Sequence, residues 1–105
     1  MSWDKVSLKE LRPGMEHLDF KVKMSRIIGI RNVKTFSGIE HRILEGELEN
    51  ESGSIGFAVW NEKIELFTNL SAGDKVELRD CFVTSFKGVL QVNVGRDSYA
   101  KRVFD

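Results

Sequence analysis

The stretch KVELRDCFVTSFKGVLQVNVG, residues 75–95, holds two strands and a conflict between them. Val76 and Leu78 alternate with charged neighbours, as the buried side of a half-exposed strand does. Strict alternation would then bury Asp80, a bare carboxylate, at a large desolvation cost. One extra residue near Asp80–Cys81, a β-bulge, resolves the conflict. Past the bulge Cys81, Val83 and Ser85 face inward, and Phe82, Thr84 and Phe86 face outward. Lys87–Gly88 makes a hairpin. Leu90, Val92 and Val94 form the last inward face, with Val89, Gln91 and Asn93 outside. The alternative is an uninterrupted pleat. Phe82 and Phe86 would then keep phase with Val76 and Leu78 and belong to the core.

The preceding chain supplies the other strands. Residues 18–36 read as one long strand in which Leu18, Phe20, Val22 and Met24 alternate with Asp19, Lys21 and Lys23. Ile27-Ile28-Gly29-Ile30 interrupts that alternation, and an internal glycine predicts a bulge or bend that lets the strand curl. Phe36-Ser37-Gly38-Ile39 is a hairpin turn. In residues 41–50 Leu44, Gly46 and Leu48 share one face, while Glu45, Glu47 and Glu49 share the other and look to water. Glu51-Ser52-Gly53 turns the chain into residues 54–60, where Ile55, Phe57 and Val59 point inward and Gly56, Ala58 and Trp60 outward. Asn61 has the character of an N-cap. Ile64, Phe67 and Leu70 recur at helical spacing until Ala72–Gly73. Upstream, Leu8 and Leu11 can anchor a short turn ended by Pro13–Gly14, and Trp3 either covers one end of the core or stays free of it.

Five strands, three then two, with a short helix between the third and fourth, fit the all-β Greek-key barrel called the OB-fold. At 105 residues the chain is one domain: a turn or cap at 1–16, the barrel at 17–97 and a C-terminal extension at 98–105.

Composition narrows the chemistry. No apolar run approaches the ~20 residues of a membrane span, and no signal-peptide core opens the chain. Cys81 is the one cysteine, so neither an internal disulfide nor a cysteine zinc site is available, in keeping with a reducing cytoplasm. His17 and His41 stand isolated in the sequence, and the glutamates lack the order of a calcium loop. No glycine-rich phosphate loop is present. Neither an enzyme, a metal nor a cofactor is expected. The 16 basic and 16 acidic residues cancel, but they are segregated. Residues 20–35 carry Lys21, Lys23, Arg26, Arg31 and Lys34 without an acid, whereas residues 40–51 carry five glutamates against Arg42 alone. A local positive surface is therefore compatible with a neutral chain, as is a plainly solvated strand face.

If the bulge forms, Trp60, Phe82 and Phe86 project together from the barrel wall. Neighbouring exposed rings form a patch, and patches mark binding sites. Flat rings beside cations suit unpaired bases, because every base offers a π-face and its phosphate a charge. Trp60 packing on the following helix, and Phe36 packing on its own turn, are the plainer alternatives.

LKELRPGM, ENESGSIGFAVWNE, GDKVELRD and FVTSFKGVLQVNVG follow one another in an order that resembles the single-OB-fold single-stranded DNA-binding proteins of archaea. They are also similar to the OB modules of replication protein A. The resemblance runs from about Val6 to Tyr99. It implies that Trp60, ending the third strand, stacks on DNA, with Phe82 and Phe86 as two further platforms beside Lys87. It places Arg31, Val33 and Lys34 in a basic and apolar binding segment of the first loop, with Phe36 as an added candidate. Phe82 stands where relatives often carry Trp. The chain ends at Asp105 without the glycine-rich tail through which relatives recruit other proteins, and its neutrality predicts weaker binding than in a basic relative.

The function expected is sequence-tolerant binding of single-stranded DNA, by a monomer or weak oligomer, protecting exposed strands in replication and repair beside other proteins of those processes. Two alternatives remain: an RNA-binding OB module, and a protein-interaction subunit of a replication protein A-like complex docking through Glu45, Glu47 and Glu49.

Overall fold

A computed structural model describes residues 7–104. Trp3 lies outside them. Six strands follow in order: β1 Leu18–Lys34, β2 Glu40–Asn50, β3 Gly53–Trp60, β4 Lys75–Phe86, β5 Val89–Val94 and β6 Tyr99–Arg102. Their lateral order is β1-β2-β3-β5-β4-β6, and pairing of β1 with β4 closes the first five into a barrel. β3 and β5 run parallel, and the other pairs are antiparallel. The sixth strand, in the C-terminal extension, has no alternating signature. It extends the sheet beside β4, matching Val76 to Arg102 and Arg79 to Tyr99.

The bulge in β4 is present. Leu18 pairs with Cys81 and Phe20 with Leu78, so Arg79 and Asp80 together oppose Asp19. Asp80 takes φ +55°, a left-handed conformation rare outside glycine. Three contacts hold it there. Its N–H donates to Asp19 Oδ1 at 2.8 Å, its carbonyl accepts from Ser98 Oγ at 2.8 Å, and its carboxylate accepts from His17 Nδ1 at 2.6 Å. The phase slips as the sequence predicts: Val76, Leu78, Cys81 and Val83 are buried, and Phe86 is 73% exposed. Ser85, expected inward, is exposed, because β4 runs past the end of the core there. Lys87 and Gly88 both have positive φ, 52° and 81°, as the two central residues of a type I′ hairpin do.

β1 curls through two register shifts. One, between Ile27 and Gly29, falls in the expected segment; the other, between Met24 and Arg26, has no glycine to announce it. Where β2 crosses this bend it carries Gly46. A Cβ there would run into the carbonyl of Arg26 and come within 2.5 Å of the Phe57 ring.

The barrel interior is filled by Phe20, Val22, Met24, Leu48, Phe57, Val59, Val76, Leu78, Val92 and Val94, with Phe57 stacked on Phe67 at 5.9 Å. Leu8, which opens a single 3-10 turn at Leu8–Glu10, and Leu11, which follows it, join the same cluster. The helix between β3 and β4 is 3-10, Asn61–Phe67, and with Leu70 it buries Ile64 and Phe67. Asn61 does not cap it. Trp60 holds the cap position, and the Asn61 side chain turns to β2 instead, accepting from the Arg42 N–H at 3.0 Å and donating to His41 Nδ1 at 3.0 Å. Among the described residues no helix is long and apolar enough to cross a membrane.

Candidate nucleic-acid interface

Strand register brings the outward residues into rows across the barrel wall. Phe82 is opposite Asn93, Asn93 is in register with Ala58, and Ala58 is opposite Glu45. A second row links Trp60 to Ile43 and Ile43 to Arg31. A groove of about 850 Å³ runs over these rows. Its floor is low because β3 presents Ala58 between Glu45 and Asn93. Trp60, Phe82, Phe86, Lys87, Arg31 and Val33 all line it. Lys34 and Phe36 do not. Lys34 ends β1, and Phe36 sits fully exposed in the β1–β2 turn.

Each ring is held differently. The Trp60 indole N–H donates to Asn93 Oδ1 at 3.0 Å, and His41 meets the indole edge-on at 5.6 Å between centroids. Asn93 points outward by parity yet is 1% exposed. Its amide nitrogen donates to Thr84 Oγ1 at 2.9 Å and to the Gln91 carbonyl at 3.2 Å, so one buried side chain ties β3, β4 and β5 under the groove. Phe82 lies against Gly95, where a Cβ would stand 3.0 Å from the ring. The absence of a side chain at Gly95 gives that ring its seat. Phe86 projects from the tip of the β4–β5 hairpin with the Lys87 ammonium 5.3 Å from its centroid.

The polar lining departs from expectation at one point. Glu45 does not simply face water. Its carboxylate accepts from Arg31 Nε at 2.8 Å and from Arg31 Nη2 at 3.3 Å, and this fork holds the guanidinium proton still more firmly than usual. Nor are the histidines isolated. His41 braces Trp60, and His17 pairs with Asp80, which raises the imidazole pKa above its ordinary 6.5. Cys81 is fully buried in the core, and that burial pushes its thiol up to about 12. Among the described residues no group of three or more His, Cys, Asp or Glu side chains is gathered as a metal ion requires.

Trp60 could be found from parity alone, and Phe82 and Phe86 once the bulge near Asp80 is placed. Asn93, Gln91, Thr84, Ile43, Ala58 and Glu45 were missed as lining residues. Parity placed most of them outside, but nothing local set which outward residues share a row.

Residues 11–100 match the family described as single-stranded DNA binding protein Ssb-like, OB fold. The single-stranded DNA binding protein Ssb of Saccharolobus solfataricus is 26% identical over 85 residues, 81% of this chain. Those residues make up 55% of the relative, so this chain spans about half its length. The barrel is similar to the replication factor A related protein of Methanobacterium thermoautotrophicum, with TM-score 0.77, 19% identity, and coverage of 93% of this chain and 89% of that one. It is equally similar to DNA binding domain A of replication protein A from S. cerevisiae, with TM-score 0.77, 17% identity, and coverage of 95% and 94%.

Proposed function

Because this chain belongs to the Ssb-like, OB-fold family of single-stranded DNA binding proteins, we propose that its groove binds single-stranded DNA without strong sequence preference and shields exposed strands in replication and repair. The observation that carries this reading is the outward placement of Trp60, Phe82 and Phe86 along one groove. Three platforms accept successive bases by stacking, worth about 1–3 kcal/mol per base. Lys87 and Arg31 supply cations beside the rings, and Lys34 lies further out on the β1–β2 hairpin, where a strand leaving the groove would pass. Nothing in this mechanism calls for a reaction, a metal or a cofactor. A docking role for the glutamate face is less well supported. Glu45 is tied to Arg31, and Glu49 approaches Lys23 at 3.8 Å, so the row is not a free acidic surface.

Titrating tryptophan fluorescence with oligo-dT tests the proposal, with Trp60→Phe assigning the signal. Quenching is expected, and Phe86→Ala should weaken binding by about tenfold. Phe86 is so exposed that its loss leaves the core intact. An unquenched Trp60 together with unchanged affinity in Phe86→Ala would remove the proposal. Matched oligo-U in a parallel titration reads the preference for DNA over RNA, since contacts to the 2′-hydroxyl are what distinguish them.

A further inference from the structure

Glu45 is the one carboxylate among the described residues lining the groove. A negative charge repels a polyanion, so its position calls for a physical reason. The geometry supplies one. Arg31 is in register with Ile43, and Gly29 with Glu45, so Arg31 and Glu45 stand diagonally across β1 and β2. From there the guanidinium presents two nitrogens to the two carboxylate oxygens, at 2.8 and 3.3 Å. That is the fork with which arginine also grips a phosphate. Glu45 is only 23% exposed while Arg31 is 59% exposed, so the carboxylate is seated in the wall and the guanidinium remains reachable.

We propose that Glu45 is an internal stand-in for phosphate: it occupies Arg31 in the free protein, and a nucleic-acid strand gains Arg31 only by displacing it. This rests on the single-strand reading of the groove. An anion without bases has to compete from solution against a carboxylate already in place. A strand stacked on Trp60 competes on equal terms, because its phosphate is also held nearby. Arg31 is thereby reserved for polyanions that carry stackable bases.

The test is a double-mutant cycle of Arg31→Gln and Glu45→Gln, with labelled oligo-dT as the probe and anisotropy as the readout. Glu45→Gln should tighten binding about two- to fivefold, the equivalent of releasing one exposed ion pair. It should also steepen the dependence of log K on log salt by about 0.7, one phosphate contact. Both gains should vanish in the Arg31→Gln background. Glu45→Ala is expected to behave likewise and covers a folding defect in the first variant. Unchanged or weaker binding by the Glu45 variants overturns the proposal. So does an equal gain with and without Arg31, which would be the removal of a repelling charge and nothing more. If the unsubstituted protein does not bind oligo-dT, the reading of the groove fails and this proposal falls with it. If it binds and the cycle shows no coupling, only this proposal falls.

Discussion

Asp80 adopts a backbone conformation that costs an L-residue free energy, and its N–H, its carbonyl and one carboxylate oxygen are engaged in keeping it there. That one residue turns the rest of β4 over, so that Phe82 reaches the groove instead of the core. His17 supplies the side-chain half of the restraint, and it makes the restraint dependent on pH. The hydrogen bond from His17 Nδ1 to Asp80, followed by their charge attraction, raises the imidazole pKa above 6.5 in the folded chain. A group whose pKa is raised on folding stabilises the fold fully below its unfolded value and ceases to do so as pH rises through the folded one. The pair should therefore help at pH below 6.5 and lose its effect above the raised value. An NMR titration of the imidazole protons should place His17 above 6.5, and Asp80→Asn should bring it back towards that value. A midpoint at or below 6.5 in the unsubstituted protein would show the pair to be absent in solution.

At the scale of elements, the long first strand is the less obvious achievement. β1 pairs with β4 through residues 18–23 and with β2 through residues 23–34, and it serves both only by bending. Gly29 eases one shift with φ +146°, and Gly46 admits the bend from the opposite strand. Gly46 needs no unusual φ; it needs the space. Gly46→Ala should therefore lower stability by about 1–3 kcal/mol through overpacking against the Arg26 carbonyl and Phe57. Urea denaturation measures this, and an unchanged midpoint would mean that the two strands separate freely at the bend. The β4–β5 hairpin is the opposite case. Its turn is local, its register follows from two residues with positive φ, and the alternation in residues 75–95 states it in full once the bulge is placed.

For the whole molecule, a neutral chain is compatible with the proposed binding because of where the charges sit. Few of the 16 basic residues meet the groove: Arg31, already paired, and Lys87. Affinity should then come mainly from stacking and depend weakly on salt. Arg31 exchanges one anion for another, so about one net phosphate, at Lys87, is neutralised, and log K for oligo-dT should fall with log salt at a slope of about −0.7. A slope several times steeper, read from titrations at rising salt, would locate the binding surface on another, more basic face.

The sequence by itself determined the alternation of each strand, the number of barrel strands, the helix between the third and fourth, and the need for a phase slip near Asp80. These are local statements. A period of two, a buried carboxylate and a glycine turn can be read within a dozen residues. It also pointed to Trp60, Phe82 and Phe86, because an outward ring is visible as soon as parity is known. Only the tertiary structure decided that Arg31 meets Glu45, that Asn93 is buried beneath Trp60, and that Lys34 and Phe36 stand away from the groove. Those facts depend on register between strands. In β1 a second slip at Ser25 carries no glycine or proline to mark it. A one-residue slip changes which side chains are neighbours across a sheet without changing the pattern along either strand.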